Sequence, residues 1–269
     1  MVKVNYAVAI FNEPNVFRKI EILRKHAQEV LEWDQATPLI NDYLPNRDAE
    51  MVHPKNHPRK SGFSTPQGQA RMLHDLASIE LQAMELGLRT LTEFAEAPLA
   101  FKEELMNITL SESTHLEMCL IEIEKLGSKW GDWPIHQSLW RATSNVDSLL
   151  DRILIVHRYL EGSGLDAGET LNRRIALIES SSVKKAIHQI VTDEIGHVEF
   201  GSRWYREICA KNKIDFQPDF PERMNKLIFQ LPKRLEPLAV DLRKQAGFSD
   251  DEILYLQDLR QRQLNQSVR

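Results

Sequence analysis

The 269-residue chain has little of what marks several classes of protein. Its two cysteines, Cys119 and Cys209, are too few for a disulfide framework, and both sit in helix-like segments, so they read as core thiols. No run approaches the roughly 18 apolar residues of a membrane span. The apolar stretch within "MVKVNYAVAIFNEPN" lacks a basic leader and a small-residue cleavage site, so it does not read as a secretory signal. Positive charge is not in excess. A net charge of −5 and a pI near 6.0 exclude general attraction to nucleic acid or an acidic membrane. Alternating β-branched runs between glycine-rich turns hardly occur, which argues against a sheet. These absences predict a cytoplasmic, all-α protein with no membrane contact.

Helical periodicity is what the chain has instead. Residues 15–33 place Val16, Ile20, Leu23, Ala27 and Val30 on one face, with Asn15 as N-cap. Residues 36–66 contain five prolines and read as an irregular arm. His53 and His57 lie in that arm, each followed by proline, and "HPKNHPRK" reads as a solvated linker. Four long helices are then expected, over about 67–96, 99–126, 138–163 and 180–211. The third is expected to break at "GSGLDAG", with a short helix at 169–179, and the serines at 180–182 offer a cap for the fourth. Ser249 and Glu252 have capping-box spacing before a C-terminal helix. The organisation read from this is an N-terminal helix and Pro-rich arm packed on the body (1–66), a four-helix bundle (67–211) and a C-terminal helical extension (212–269).

Within the bundle region, Glu112-x-x-His115 and Glu194-x-x-His197 lie on the second and fourth helices. Residues three apart share a helix face, so each pair can present a carboxylate and an imidazole together. The bare motif is weak: chance alone yields about one such pair in a chain of this composition. The placement is stronger. Glu80, among apolar residues of the first helix, precedes Glu112 by 32 residues, and Glu161 on the third precedes Glu194 by 33. One Glu from each of two helices and a Glu-x-x-His from each of the other two is the dimetal pattern of a ferritin-like four-helix bundle. The longer interval between Glu112 and Glu161, containing "GSKWGDWPIHQ", would be the one long crossover of that fold. Carboxylate and imidazole donors suit two Fe ions, or Mn, or a mixed Mn/Fe pair. Glu117, Glu122 and Glu124 read as solvated helix charges, Glu199 as outward, and Trp130, Trp133 and Trp140 as packing around the crossover.

The blocks "IELQAMEL", "WGDWPIHQSLW", "LEGSGLD", "DEIGHVEFGSRW" and "LRKQAGFS" resemble the DUF455 family of ferritin-like proteins, in order between about 70 and 250. The resemblance implies a carboxylate-bridged dinuclear metal centre in a helical bundle. A more distant likeness in fold is to tRNA-modifying non-haem di-iron monooxygenases. Carried onto this chain, Glu80 and His115 would hold one metal, Glu161 and His197 the other, and Glu112 and Glu194 would bridge. Asp193 would be an outer carboxylate orienting a histidine, with Ser111 at the matching place in the first motif. Two positions depart from the family's pattern: Ser78, where a histidine is expected, and His157, where a proline is. His157 lies one turn before Glu161 and reads as a hydrogen-bonded inner-face residue or an extra ligand.

The function expected is that of an O₂-dependent oxidase or monooxygenase acting on a small molecule or modified nucleoside, with an unspecified electron donor. The alternatives are a ferritin-like iron-binding or ferroxidase protein and a non-catalytic helical binding protein with a vestigial site. The Pro-rich arm and C-terminal helices make a monomer or dimer the expectation over a cage.

Overall fold

The computed structural model describes residues 4–40, 43–58, 62–176, 181–234 and 236–267. Among them the protein is all-α: ten α-helices, a π-helical stretch and two single 3₁₀ turns, with no strand beyond one isolated bridge from Met51 to Ile135. None of these helices is long and apolar enough to cross a membrane. By its contacts the chain divides into two compact units, 1–145 and 146–269.

The first unit is built on a hairpin of α3 (Pro66–Glu93) and α4 (Leu99–Lys125). Thr65 caps α3 by accepting from the Gly68 N–H, with Pro66 at the first helical position, where its missing N–H would have had no partner. Pro98 stands at the N-cap of α4, one residue before its first helical position, and gives no side-chain cap. Gly87 lets the two helices close: a Cβ there would lie 2.2 Å from Thr109 Oγ1. The N-terminal segment is fastened to this hairpin. It forms α1 (Tyr6–Asn12) and α2 (Val16–Leu31), the latter capped by Asn15 as the sequence predicts. Lys19 of α2 is wholly buried and donates to Ile10 O at 2.7 Å and to Glu85 at 2.9 Å. Arg47 closes on the same Glu85 carboxylate with both guanidinium nitrogens. Along the Pro-rich arm, the Thr37 N–H donates to Thr92 O, and the Trp140 indole N–H donates to Tyr43 O. A buried backbone needs such partners, and here α3 and Trp140 supply them.

The second unit begins with α5 (Leu149–Ile153), whose Ser148 and Asp151 form a full capping box. It continues as a π-helix, Leu154–Glu161, into α6 (Gly162–Ile175). Then come α7 (Ser181–Lys211), α8 (Phe216–Leu227), α9 (Val240–Gln245) and α10 (Asp250–Ser267). The expected Ser249–Glu252 capping box is present, with Glu252 N–H donating to Ser249 Oγ and Ser249 N–H to the Glu252 carboxylate.

Two expectations about the third helix are corrected. It starts at Leu149, not 138, because residues 138–148 instead hold a 3₁₀ turn at Trp140–Ala142 and the Ser148 cap. It also does not break at "GSGLDAG". All three glycines stay helical, and two of them serve close packing: a Cβ on Gly162 would lie 2.9 Å from Arg243 Nη1, and one on Gly168 2.7 Å from Val191 Cγ2. The short helix expected at 169–179 is therefore the end of α6, as far as residue 175. Residues 177–180, with part of the expected serine cap, lie outside the described residues.

Candidate metal centre

In the first unit, α3 and α4 bring three of the sequence-predicted residues together. Glu80, Glu112 and His115 are each no more than 3 % exposed. His115 Nδ1 lies 3.6 Å from Glu80 Oε2 and 3.4 Å from Glu112 Oε2. One donor atom from each of the three lies within 4.8 Å of the others, the spacing of groups that can share an ion. The Ser111 hydroxyl stands 3.5 Å from His115 Nε2.

Two carboxylates brought into a dry interior create a demand for positive charge. His115 registers it. Burial works to lower its pKa, but hydrogen bonds and charge from Glu112 and Glu80 raise it to about 11. The metal-free site thus holds a proton where a divalent ion would replace it. Two carboxylate oxygens and an imidazole form a hard-to-intermediate donor set that fits Fe(II) or Mn(II). Farther along the same face of α4, burial and the charges of Glu80 and Glu122 push the Cys119 thiol well above its usual range, so it is an inert core thiol as read from sequence.

In the second unit, Glu194 and His197 sit on α7, 9 % and 5 % exposed, with His197 Nδ1 3.5 Å from Glu194 Oε1. Two close approaches fix the register of α7 against the preceding helix. Gly168 meets Val191, and Gly201 meets His157, whose Cβ would lie 2.4 Å from a Cβ at 201. Interpolating between them places Glu161 level with His197. Glu161 is buried and makes a 2.8 Å hydrogen bond through Oε2 with His157 Nδ1. Among the described residues, neither Glu161 nor His197 joins a gathering of three donors as close as that in the first unit. Asp193 is half-buried and accepts twice from Gln189 one turn back on α7.

Other readings also meet the structure. Glu117 and Glu199 are partly exposed and paired with Arg24 and Arg203. Glu122 is not a solvated charge: it is 6 % exposed, its carboxylate held by Lys125 at 2.6 Å. Trp140 is buried under the Arg89 guanidinium, and Trp130 and Trp133 pack around the His74 ring. His57 hydrogen-bonds with the Arg71 guanidinium and lies 3.7 Å from Asp75.

Sequence reasoning missed a second pair of acidic residues. Glu85 follows Glu80 by five positions and Asp166 follows Glu161 by five. Both are completely buried, and each is gripped by two cations. Asp166 takes Arg243 at 2.9 and 2.7 Å, Arg260 at 2.7 Å and the Ala239 N–H at 2.8 Å. The equal spacing was the available signal. The clamps fasten α3 and α6 to the N-terminal and C-terminal segments of their own units.

The profile of a family described as "Protein of unknown function (DUF455)" matches residues 12–254. An uncharacterised protein of Haemophilus influenzae is 32 % identical over 219 residues, covering 78 % of this chain and 75 % of the relative. No solved structure matches.

Proposed function

The chain belongs to the DUF455 family, and from the geometry within each unit we propose that it is a ferritin-like dinuclear metal protein, an O₂-dependent oxidase or monooxygenase. On this reading Glu80, Glu112 and His115 of the first unit and Glu161, Glu194 and His197 of the second serve one centre of two Fe ions, or Mn or mixed Mn/Fe. Glu112 and Glu194 would bridge. The observation that carries the reading is the convergence of Glu80, Glu112 and His115 in a dry interior.

Bound there, the metals would supply redox chemistry with O₂ toward an organic substrate, a small molecule or a modified nucleoside, with reducing equivalents from a separate donor. The chain's own residues set the conditions. The carboxylates supply negative charge that matches two divalent ions, and the imidazoles fix donor direction. The buried apolar neighbours Leu81, Met84 and Leu116 exclude water, which strengthens every charge interaction inside.

The test is metal content per chain by elemental analysis after anaerobic loading with Fe(II). About two ions per chain are expected from the six-ligand pattern. Glu112→Ala and Glu194→Ala should each lose most of the metal, while Glu117→Ala, whose side chain pairs with Arg24 at the surface, should keep it. A wild-type protein that takes up no metal would sink the reading. Assembly into a many-subunit hollow shell would move it to iron storage.

A further inference from the structure

The two halves of the proposed centre differ at one place, and the difference is built rather than incidental. The helix carrying Glu161 is π-helical from Leu154 to Glu161, a rare geometry that recurs at functional sites. His157 sits inside that stretch and is 1 % exposed. Its Nδ1 faces the Glu161 carboxylate at 2.8 Å. A neutral imidazole with its proton on Nδ1 donates to that oxygen and leaves the lone pair on Nε2. Nε2 is buried and has no hydrogen-bond partner among the described residues. An acceptor stripped of water and left unmet is destabilising, so it calls for a cation or a donor.

The fold makes room for this ring. Gly201 lies against the His157 Cβ, where any side chain would collide, and the Phe200 ring stands edge-on to the imidazole at 5.0 Å. At the corresponding spacings in the first hairpin the sequence has Leu76 and Cys119, so no imidazole stands at the place matching His157. Glu161, meanwhile, is turned onto His157 and does not gather with Glu194 and His197.

We infer that His157 is a metal ligand through Nε2, with Glu161 acting through it as the carboxylate that orients the ring. Such carboxylate–imidazole–metal relays fix the tautomer and raise the basicity of the ligating nitrogen. The second half of the centre then presents two imidazoles, His157 and His197, with Glu194, while the first presents one, and the two ions occupy chemically distinct positions. The inference rests on the dinuclear reading above.

Co(II) loaded anaerobically into the full chain separates the two claims. Each imidazole bound to Co(II) gives one far-downfield, solvent-exchangeable N–H signal in the proton NMR spectrum. Three such signals are expected, from His115, His157 and His197, falling to two in His157→Gln. In competition titrations His157→Gln should weaken the second Co(II) more than Glu161→Gln does, since loss of an orienting carboxylate lowers affinity about tenfold. Two signals in the wild-type protein, or the reverse order of the two variants, would overturn the role of His157 and leave the dinuclear reading standing. No uptake of Co(II) at all would overturn both. The wild-type signal count stands even if a variant fails to fold.

Discussion

The hairpin of the first unit and the hairpin of the second repeat one another position by position. Glu80, Glu85 and Gly87 recur as Glu161, Asp166 and Gly168, each 81 residues later. Thr109, Glu112 and His115 recur as Val191, Glu194 and His197, each 82 later. In both hairpins the glycine admits the facing helix, at Thr109 in one and Val191 in the other. In both, the second carboxylate is buried and held by two cations from chain outside the hairpin: Lys19 and Arg47 from the N-terminal segment, Arg243 and Arg260 from the C-terminal one. The hairpins part at the helix just before Glu161. The first keeps regular α geometry and draws its three donors together. The second is π-helical and spends its carboxylate on His157. The two hairpins share their fastening and differ in the turn before Glu161, so differences in behaviour should trace to that turn and not to the fastening.

The largest expected effect tests the fastening. Removing the acid from a buried, doubly gripped pair strands two guanidinium or ammonium groups away from water, a loss of about 3–5 kcal/mol. Glu85→Ala should loosen 66–93 in hydrogen exchange of the metal-free protein, and Asp166→Ala should loosen 149–175, by similar free energies. The terminal segments are then equivalent clamps. A change below about 1 kcal/mol in either variant would show that its clamp is decorative and that the repeat stops at sequence.

A smaller effect tests the rebuilt turn. In Gly201→Ala the new methyl meets the root of the His157 side chain at 2.4 Å, and only backbone movement can relieve it. Overpacking of this kind costs about 1–3 kcal/mol. In Gly87→Ala the obstacle at 2.2 Å is the Thr109 hydroxyl, which moves aside by giving up its buried hydrogen bond to Leu105 O at a cost of about 1 kcal/mol, while the helix recovers about 1 kcal/mol by losing a glycine. Thermal midpoints should therefore drop clearly for Gly201→Ala and stay close to wild type for Gly87→Ala. Equal drops would mean that the two contact sites are packed alike.

Much of this was legible in the sequence because it rests on local chemistry. The two Glu-x-x-His pairs, Asn15 as a cap and the Ser249–Glu252 box are fixed by residues within a turn of one another, and all are found where the pattern puts them. The start of the third helix was misread because apolar residues continue back to 138. The decisive mark was instead Ser148 with Asp151, a box whose acid is Asp rather than the usual Glu. "GSGLDAG" looked like a break because glycine normally disfavours helix, and its use here depends on Arg243 and Val191, which lie 81 and 23 residues away from their glycines. Glu122 looked solvated because nothing in a helical pattern tells a buried carboxylate from an exposed one. The π-helix left no mark that periodicity can read, since all eight of its residues are buried and none marks a solvent face.

The last expected effect is an asymmetry in acid, seen only as pH falls. His74, on α3, is wholly buried, accepts from the Gly131 N–H through Nε2 at 3.1 Å and stacks on Trp130. Gly131 has φ +89°, a turn conformation suited to glycine, and so the imidazole pins the segment after α4 to the hairpin. Burial, and then the charge of Arg71, lower the His74 pKa from 6.5 to about 4. The folded state therefore resists a proton that the unfolded chain accepts. Stability is complete above pH 6.5 and is lost as pH falls toward 4, by about 2 kcal/mol between pH 7 and pH 5. His115 offsets only part of this: its contribution grows by about 1 kcal/mol as pH falls from 7 to below 6.5, where it is complete, and is lost as pH rises toward 11. The position matching His74 in the second hairpin is Ile155, which cannot titrate. Hydrogen exchange of metal-free protein at pH 7 and pH 5 should therefore show 66–93 loosening while 181–211 holds. His74→Gln should be less stable at pH 7 but flat across the same interval. Parallel loosening of both hairpins, or an unchanged slope in His74→Gln, would place the acid response elsewhere than in this ring.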